Sequence, residues 1–241
     1  MNSYSSIFET KKNILFVVAH PDDVVVFYGA LISKLVSDHK NIFVVTVSNG
    51  ARGSRDDSVS ETELAKIRIN EDLSALKFLG VPESNYTNLN YLDGEINSDY
   101  KLIGEISYHV RKSKADIVCT HEPTFIYGPT YDKSGFFVQH RDHRKTAEAV
   151  MDSAYPFSRD RSFFPEHFKE GIEPHTVTEL LLTDEIQSNF ELVYTDAVDT
   201  KKQALLCYKS QLDVGGATEI VDAVKSDNHY LEKYFYVNLL W

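Results

Sequence analysis

The sequence predicts an α/β fold with a mostly parallel sheet, in a single domain that spans residues 1–241. Short apolar runs rich in β-branched residues alternate with longer segments of helical spacing, as in βαβ units. A polar cluster directly follows the first apolar run, and parallel sheets gather their ligands outside the carboxyl ends of their strands. No repeat or linker marks a domain boundary.

The first βαβ unit is predicted at the start of the chain. Residues 13–19 (Asn-Ile-Leu-Phe-Val-Val-Ala) read as a buried strand, residues 24–35 as a helix and residues 42–47 as a second strand. The polar stretch 48–58 contains two glycines and predicts a long loop at the carboxyl end of the second strand.

The alternation continues further along the chain. Leucine and isoleucine at helical spacing predict a helix over 61–79, which Gly80 and Pro82 would end. The stretch 121–137 contains Pro and Gly among aromatic residues and predicts a second long loop. The other predicted elements are a strand at 86–92, a helix at 101–114, strands at 116–120 and 177–182, and a helix at 199–212.

Composition excludes several classes of function. The formal net charge of −11 disfavours binding to nucleic acid or to anionic membrane surfaces, because both would be repelled. No apolar stretch approaches the roughly 20 residues of a membrane span, and the first residues do not resemble a secretory signal, so we expect a cytoplasmic protein. Cys119 and Cys207 lack the spacing of a thiolate metal site, so any metal must be held by nitrogen and oxygen.

Two polar motifs together predict a metal site. His-Pro-Asp-Asp at 20–23 follows the first strand, and His-Arg-Asp-His at 140–143 places two imidazoles on one face of a helical turn. Catalytic zinc takes three such ligands and keeps one position open, a set that His20, Asp23 and His143 fit. Each motif alone also fits ordinary helix-start chemistry. Their joint position at strand-to-helix junctions favours the metal site.

The motifs of this chain resemble those of the PIG-L/LmbE family of zinc-dependent N-deacetylases. The resemblance rests on Ala-His-Pro-Asp-Asp at 19–23, Asn49-Gly50, Arg68 with Glu71, Leu-Gly-Val at 79–81, Asp93-Gly94, His140-x-Asp142-His143, Glu-Pro-His at 173–175, and Lys202 with Ser210-Gln211. It spans nearly the whole chain and implies an LmbE-like fold, a Rossmann-like three-layer sandwich with a mostly parallel sheet.

The resemblance also implies an activity, namely removal of the acetyl group from an N-acetylated amino sugar of the N-acetylglucosamine type or from its conjugate. By this resemblance His20, Asp23 and His143 would bind Zn2+ or another divalent metal. Asp22 would be the general base that takes a proton from water. His140 would stabilise the oxyanion or protonate the leaving amine.

Further residues match family positions around the metal motifs. Arg68 and Asp93 resemble positions that contact the sugar, and Asp142 would hold a histidine tautomer by a hydrogen bond. The alternative for Arg68 is a solvated helix arginine paired with Glu71 or Asp72. The alternative for Asp142 is helix capping. His121, at the end of a predicted strand, is close enough to the predicted site to be considered as well.

The sequence departs from the family pattern at five positions. Val24 stands where the family has Glu, and Phe27 and Ala30 replace small glycines, which makes the turn after the first motif more apolar and more crowded. Arg141 replaces a usual Pro, and Tyr208 replaces a histidine. We expect these changes to affect substrate contacts and ligand orientation, and Val24 to tune substrate choice.

Two other functions remain open at this point. The residues specify amide cleavage more firmly than the sugar, so an amidase acting on another N-acyl conjugate is one alternative. A catalytically silent binding relative of the family is the other. We expect a small-molecule amino-sugar substrate as the partner, with no nucleic acid and no membrane, and leave homo-oligomerisation open.

Overall fold

The structure is a computed structural model and describes residues 1–54, 58–129, 135–183 and 187–240. The helices are α1 (Tyr4–Phe8), α2 (Asp23–Ser37), α3 (Glu61–Phe78), α4 (Tyr100–Ser113), α5 (Arg141–Asp152), α6 (Val198–Leu205) and α7 (Val214–Ala223). The strands are β1 (Asn13–Val18), β2 (Asn41–Ser48), β3 (Tyr86–Tyr91), β4 (Ile117–His121), β5 (Tyr127–Pro129), β6 (Phe136–Val138), β7 (Glu179–Thr183), β8 (Phe190–Val193), β9 (Lys225–Ser226) and β10 (His229–Asn238). Within these ranges, no helix has the length and apolar character needed to cross a membrane.

The central sheet has eight strands and is mostly parallel. Its strand order is β3-β2-β1-β4-β7-β10-β8, with β9 paired to β10. The first five strands in this order are parallel to one another, whereas β10 runs antiparallel to its neighbours β7 and β8. The predicted α/β fold with a mostly parallel sheet is therefore confirmed.

Both faces of the sheet are buried, and β1 shows why. Ile14, Phe16 and Val18 pack into one apolar cluster together with residues of α2, α3, α6 and α7. Leu15 and Val17 point to the opposite face and pack against α4 and α5. Successive side chains of a strand alternate between faces, so a continuous apolar run serves two helical layers at once. The result is the three-layer sandwich that the resemblance implies.

The structure corrects the prediction in the second half of the chain. The helix predicted over 199–212 ends at Leu205, after which the backbone makes turns. The Tyr208 N–H donates to the Leu205 carbonyl at 3.0 Å, and the Gln211 N–H donates to the Tyr208 carbonyl at 2.9 Å. The loop predicted over 121–137 contains the hairpin strands β5 and β6. The strand β10 and the helix α7 were not predicted. Residues 55–57 and 130–134 of the two predicted loops lie outside the described residues.

Candidate active site

The two polar motifs meet at the carboxyl edge of the sheet. The tetrapeptide 20–23 leaves β1 and turns the chain into α2, which begins at Asp23. The motif 140–143 begins α5, and the His140 side chain caps that helix by accepting the Asp142 backbone N–H. Next to β1 lies β4, which ends at His121. The sheet therefore brings together motifs that lie about half the chain apart.

Asp23 lies between two imidazoles. Its Oδ2 is 3.2 Å from His20 Nδ1, and its Oδ1 is 3.2 Å from His143 Nε2. Two ligands that each bind a tetrahedral zinc ion at about 2.0–2.1 Å are about 3.3 Å apart. The chemistry of these three side chains, two nitrogens and one carboxylate, suits a divalent ion. Among the described residues, the groups whose ligand atoms all lie within 4.8 Å of one another are His20 with His140 and His143, Asp23 with His121 and His143, and His20 with Asp93 and Asp142.

The second nitrogen of His20 faces two carboxylates. His20 Nε2 is 3.4 Å from Asp142 Oδ2 and 3.5 Å from Asp93 Oδ1. Asp142 is fully buried and also accepts the Gly94 N–H at 2.7 Å. A carboxylate beside one nitrogen of a metal-binding histidine fixes which tautomer is present. The geometry therefore suits Asp142 to orient His20, in addition to its place in the first turn of α5.

His121 also belongs to this cluster. Its Nε2 is 3.5 Å from Asp23 Oδ2, and its ring stacks on the His143 ring with centroids 4.0 Å apart. Asp23, His121 and His143 thus form one of the groups that could hold a metal ion. The same Nε2 accepts the Ala19 N–H at 3.2 Å, however, which occupies its lone pair. The sequence signal for His121 is its place at the end of the strand beside β1.

His140 is the exposed histidine of the group. Its ring lies edge-on to His20 with centroids 4.7 Å apart, and 5.3 Å from the His143 ring. Its Nδ1 accepts the Asp142 backbone N–H at 3.2 Å, so a neutral ring carries its proton on Nε2. Partial burial and the nearby His20 and His143 lower the pKa of His140. The neutral ring is then a hydrogen-bond donor next to the predicted ligands.

Arg68 contacts the predicted base. Its Nη2 donates to Asp22 Oδ2 at 2.9 Å and to the Pro21 carbonyl at 2.7 Å, and its Nη1 donates to the Gly50 carbonyl at 2.9 Å. The side chain is only 3% exposed. The alternative of a solvated helix arginine is therefore wrong. The predicted contact with a sugar also fits poorly, because Nη2 already serves the turn that carries Asp22 and Nη1 serves the Gly50 carbonyl.

Asp22 has an unusual backbone and a shifted pKa. Its φ of 101° lies in the region that glycine favours, and such a conformation costs about 1–3 kcal/mol unless its surroundings impose it. Burial raises the pKa of Asp22 to about 7, although Arg68 acts in the opposite direction. Asp22 therefore differs from Asp23, whose pKa His143 and His20 hold well below its ordinary value against the effect of burial.

Asp93 lies in a turn that is fixed to the start of α5. Its Oδ2 accepts the Arg52 N–H at 3.1 Å. Arg141 Nη2 donates to Asn97 Oδ1 at 2.6 Å, and its Nη1 donates to the Ile96 carbonyl. Arg141, which departs from the family pattern, thus ties the helix that carries His140 and His143 to the turn that carries Asp93.

Three other departures from the family pattern lie in α2. Val24 is fully buried in the apolar core, so its side chain packs away from solvent. The Phe27 ring lies edge-on to His121 and His143, with centroids 5.6 and 5.9 Å apart. Phe27 also lines a cavity of about 140 Å³ that includes Lys201. The predicted crowding of this turn is therefore real, and Phe27 supports the two imidazoles.

Comparison with known proteins establishes the family. The profile of the family described as PIG-L, GlcNAc-PI de-N-acetylase, matches residues 15–154, which is more than half of the chain and includes both motifs. The chain belongs to the PIG-L family. The family predicted from the sequence motifs is therefore confirmed, and with it the expectation of a deacetylase hydrolase.

Individual relatives of this PIG-L family member agree on the fold and differ in chemistry. Diacetylchitobiose deacetylase of Thermococcus kodakarensis is 26% identical over 208 residues, which cover 85% of this chain and 72% of that protein. The structure of N,N'-diacetylchitobiose deacetylase from Pyrococcus horikoshii superposes with a TM-score of 0.84 at 24% identity, covering 96% of this chain and 85% of that one. The 4-carboxy-2-hydroxymuconate hydratase of Pseudomonas putida has a TM-score of 0.73 at 18% identity, covering 94% and 96%. The fold alone therefore does not fix the reaction.

Proposed function

We propose that this protein hydrolyses the acetamido group of an N-acetylated amino sugar of the N-acetylglucosamine type, free or in a conjugate. One observation carries the proposal: Asp23 lies between His20 and His143, while Asp22 is held beside them by Arg68. Metal-assisted hydrolysis needs a metal ligand and a proton acceptor side by side. The family description and the Thermococcus relative support amide cleavage over hydration.

His20, Asp23 and His143 would hold the metal, for which we propose zinc. When bound, zinc polarises the acetyl carbonyl and makes water a better nucleophile near neutral pH. Zinc suits a site with two imidazole nitrogens and one carboxylate, whereas magnesium and calcium prefer oxygen ligands. Asp142 orients His20 from the opposite side of its ring.

Asp22 takes the proton of the attacking water. Arg68 occupies Oδ2 of this carboxylate, which leaves Oδ1 to accept the proton. A base works best when its pKa lies near the working pH, and burial raises the pKa of Asp22 to about 7. The proton held on Asp22 can then pass to the leaving amine when the amide bond breaks.

His140 stabilises the negative charge that develops on the acetyl oxygen. Its Nδ1 is engaged by the Asp142 N–H, so the Nε2–H of the neutral ring is the group that donates to this oxygen. The lowered pKa of His140 keeps the ring neutral near pH 7 and favours this role over protonation of the amine.

Substrate contacts fall on Asp93 rather than on Arg68. Asp93 is near His20, and a carboxylate accepts hydrogen bonds from sugar hydroxyls. Arg68 acts on the reaction through Asp22, since its Nη2 is engaged with the turn that carries Asp22 and its Nη1 with the Gly50 carbonyl. We further propose that residues 1–241 act as one domain, because β10 near the end of the chain inserts between β7 and β8 of the same sheet.

The proposal can be tested by product analysis. Zinc-loaded protein is incubated with N-acetylglucosamine, N,N'-diacetylchitobiose and N-acetylglucosamine glycosides, and free amine and acetate are measured separately. We expect equal amounts of both products from at least one sugar, and release that is about 10²-fold slower or more by Asp22→Asn. Release of amine from another N-acyl compound only would establish the amidase alternative. No release from any amide by protein that binds one metal ion would indicate a silent relative.

A further inference from the structure

We propose that Asp72 and Tyr208 are positioning residues for the catalytic base, and that they hold the strained backbone of Asp22 in place from the side of α3. This inference rests on the proposed function for the role of Asp22 as a base. It concerns a buried carboxylate on α3 and a tyrosine that lies beyond the 15–154 family match, 136 residues from Asp72 in the sequence.

Asp72 is a completely buried carboxylate with hydroxyl partners. Its Oδ1 accepts the Tyr208 hydroxyl at 2.6 Å, and its Oδ2 accepts the Thr46 hydroxyl at 2.9 Å. Tyr208 is itself completely buried. A buried carboxylate is costly to desolvate, so a fold tolerates one only where several donors satisfy it. The two hydroxyls come from β2 and from the turn after α6, and they fix the position of the carboxylate between these elements.

The carboxylate faces the turn that carries Asp22. Hydrogen bonding with the Asp22 backbone is one of the interactions that lower the pKa of Asp72, although burial raises it overall. Arg68 and Asp72 are four residues apart on α3 and therefore share one face of the helix. Arg68 holds the Pro21 carbonyl and the Asp22 carboxylate, and the Asp72 carboxylate lies within hydrogen-bonding reach of the Asp22 backbone. One face of α3 thus contacts the turn that carries Asp22 at two points.

The backbone conformation of Asp22 requires contacts that hold it in place. A non-glycine residue at φ 101° keeps this conformation only where the surrounding structure imposes it. Loss of the Tyr208 hydroxyl would leave the Asp72 carboxylate with one donor fewer and free to turn away from Asp22. The base would then relax and lose its alignment, whereas His20 and Asp23 are held by their own contacts.

The chain offers a matched control for this effect. Ser210 lies in the same turn as Tyr208 and also binds α3, because its N–H and hydroxyl donate to the Glu71 carboxylate at 2.8 and 2.6 Å. Removal of the Ser210 hydroxyl loosens the same segment from the same helix without touching Asp72. A purely structural role for Tyr208 would therefore give Tyr208→Phe and Ser210→Ala similar effects.

The experiment compares Tyr208→Phe, Asp72→Asn and Ser210→Ala with the wild type. Zinc content, Tm, kcat and KM are measured for each, and Tyr208→Phe is repeated in the Asp22→Asn background. We expect Tyr208→Phe and Asp72→Asn to lower kcat about tenfold or more at unchanged KM and unchanged zinc content. Ser210→Ala should keep kcat within twofold. In the Asp22→Asn background, Tyr208→Phe should cause no further loss, since the two residues act on one step.

The proposal would be overturned if Tyr208→Phe lowered kcat by the same factor in the wild type and in the Asp22→Asn background. It would also be overturned if Ser210→Ala lowered kcat as much as Tyr208→Phe does. If Asp72→Asn fails to fold, Tyr208→Phe carries the test because it removes a single hydroxyl. Crystal structures of wild type and Tyr208→Phe separate this inference from the proposed function. An inactive wild type with a shifted Asp22 in the variant would refute only the function. An active wild type with unchanged Asp22 and kcat in the variant would refute only the positioning role.

Discussion

Two neighbouring carboxylates carry different chemistry because their surroundings differ. Asp23 lies between His20 and His143, and these imidazoles hold its pKa well below the ordinary value despite its burial. The main cationic partner of Asp22 is Arg68, and burial outweighs it, which raises the pKa of Asp22 to about 7. A permanently charged carboxylate suits a metal ligand, and one that titrates near neutrality suits a base.

Substitution should separate these two roles. We expect Asp22→Asn to retain one zinc ion per chain and to lose about 10²-fold or more in kcat, because the amide cannot accept a proton. Asp23→Ala should lose zinc, because it removes the ligand that lies between the two imidazoles. Metal content by atomic emission and kcat on the best sugar measure both effects. Equal loss of metal in the two variants would contradict this assignment.

Sequence reasoning found the site residues that are close in the chain and missed the contacts between distant ones. The position of the two motifs, 20–23 and 140–143, at strand-to-helix junctions of one sheet favoured a shared site, and the structure brings them together. The contact between Arg68 and Asp22 joins residues 46 apart, and that between Tyr208 and Asp72 joins residues 136 apart. Such contacts depend on the packing of α3 and α6 against the sheet, which no local spacing encodes.

At the scale of elements, α4 carries a histidine that couples stability to pH. His109 is partly buried beside Tyr108, with ring centroids 5.4 Å apart, in a groove between α4 and the segment that contains Phe164. Burial, with a smaller effect of Lys112, lowers the pKa of His109 to about 4. The unfolded chain, with an ordinary histidine pKa of about 6.5, binds this proton more readily than the folded protein does.

Acid should therefore destabilise the protein partly through His109. The contribution of neutral His109 to the free energy of unfolding is complete above about pH 6.5. It is lost as the pH falls toward about 4, because the unfolded state takes up the proton first. Between pH 7.5 and 5.0 we expect wild type to lose about 1–2 kcal/mol more in unfolding free energy than His109→Gln does. Urea unfolding at both pH values measures this, with the exposed His229→Gln as control. Equal losses of unfolding free energy in wild type and His109→Gln would show that His109 does not contribute to the pH dependence of stability.

Strands were predictable from the sequence where a single pattern, a continuous apolar run, determines them. β1, β2 and β4 are apolar runs buried on both faces, and their predicted bounds differ from the observed ones by one residue. β10 escaped prediction because it carries Glu232 and Lys233. Glu232 is buried because distant groups satisfy its carboxylate, namely the Lys201 ammonium at 2.7 Å and the Ala30 and Leu31 N–H groups at 2.8 Å. α6 ends early because the chain turns to bring Tyr208 to Asp72.

At the scale of the whole molecule, the predicted metal ligands join distant parts of the chain. His20 and Asp23 lie at the junction of β1 and α2, whereas His143 lies in α5 on the other face of the sheet. An ion held by all three would link the two helical layers at the sheet edge. Ligands that bind only the folded state stabilise it by mass action. Metal binding should therefore appear as a change in global stability.

Thermal unfolding can then decide between His20 and His121 as the third ligand beside Asp23 and His143. Zinc at about 100 times its Kd would add about 2.7 kcal/mol, which corresponds to a rise of about 5–10 °C in Tm for a chain of this size. We expect His143→Ala and Asp23→Ala to abolish this rise. His121→Gln should retain most of it, because the amide oxygen of Gln can still accept the Ala19 N–H and because His20 remains as the third ligand. Loss of the rise in His121→Gln, with its retention in His20→Ala, would assign the ion to Asp23, His121 and His143 instead.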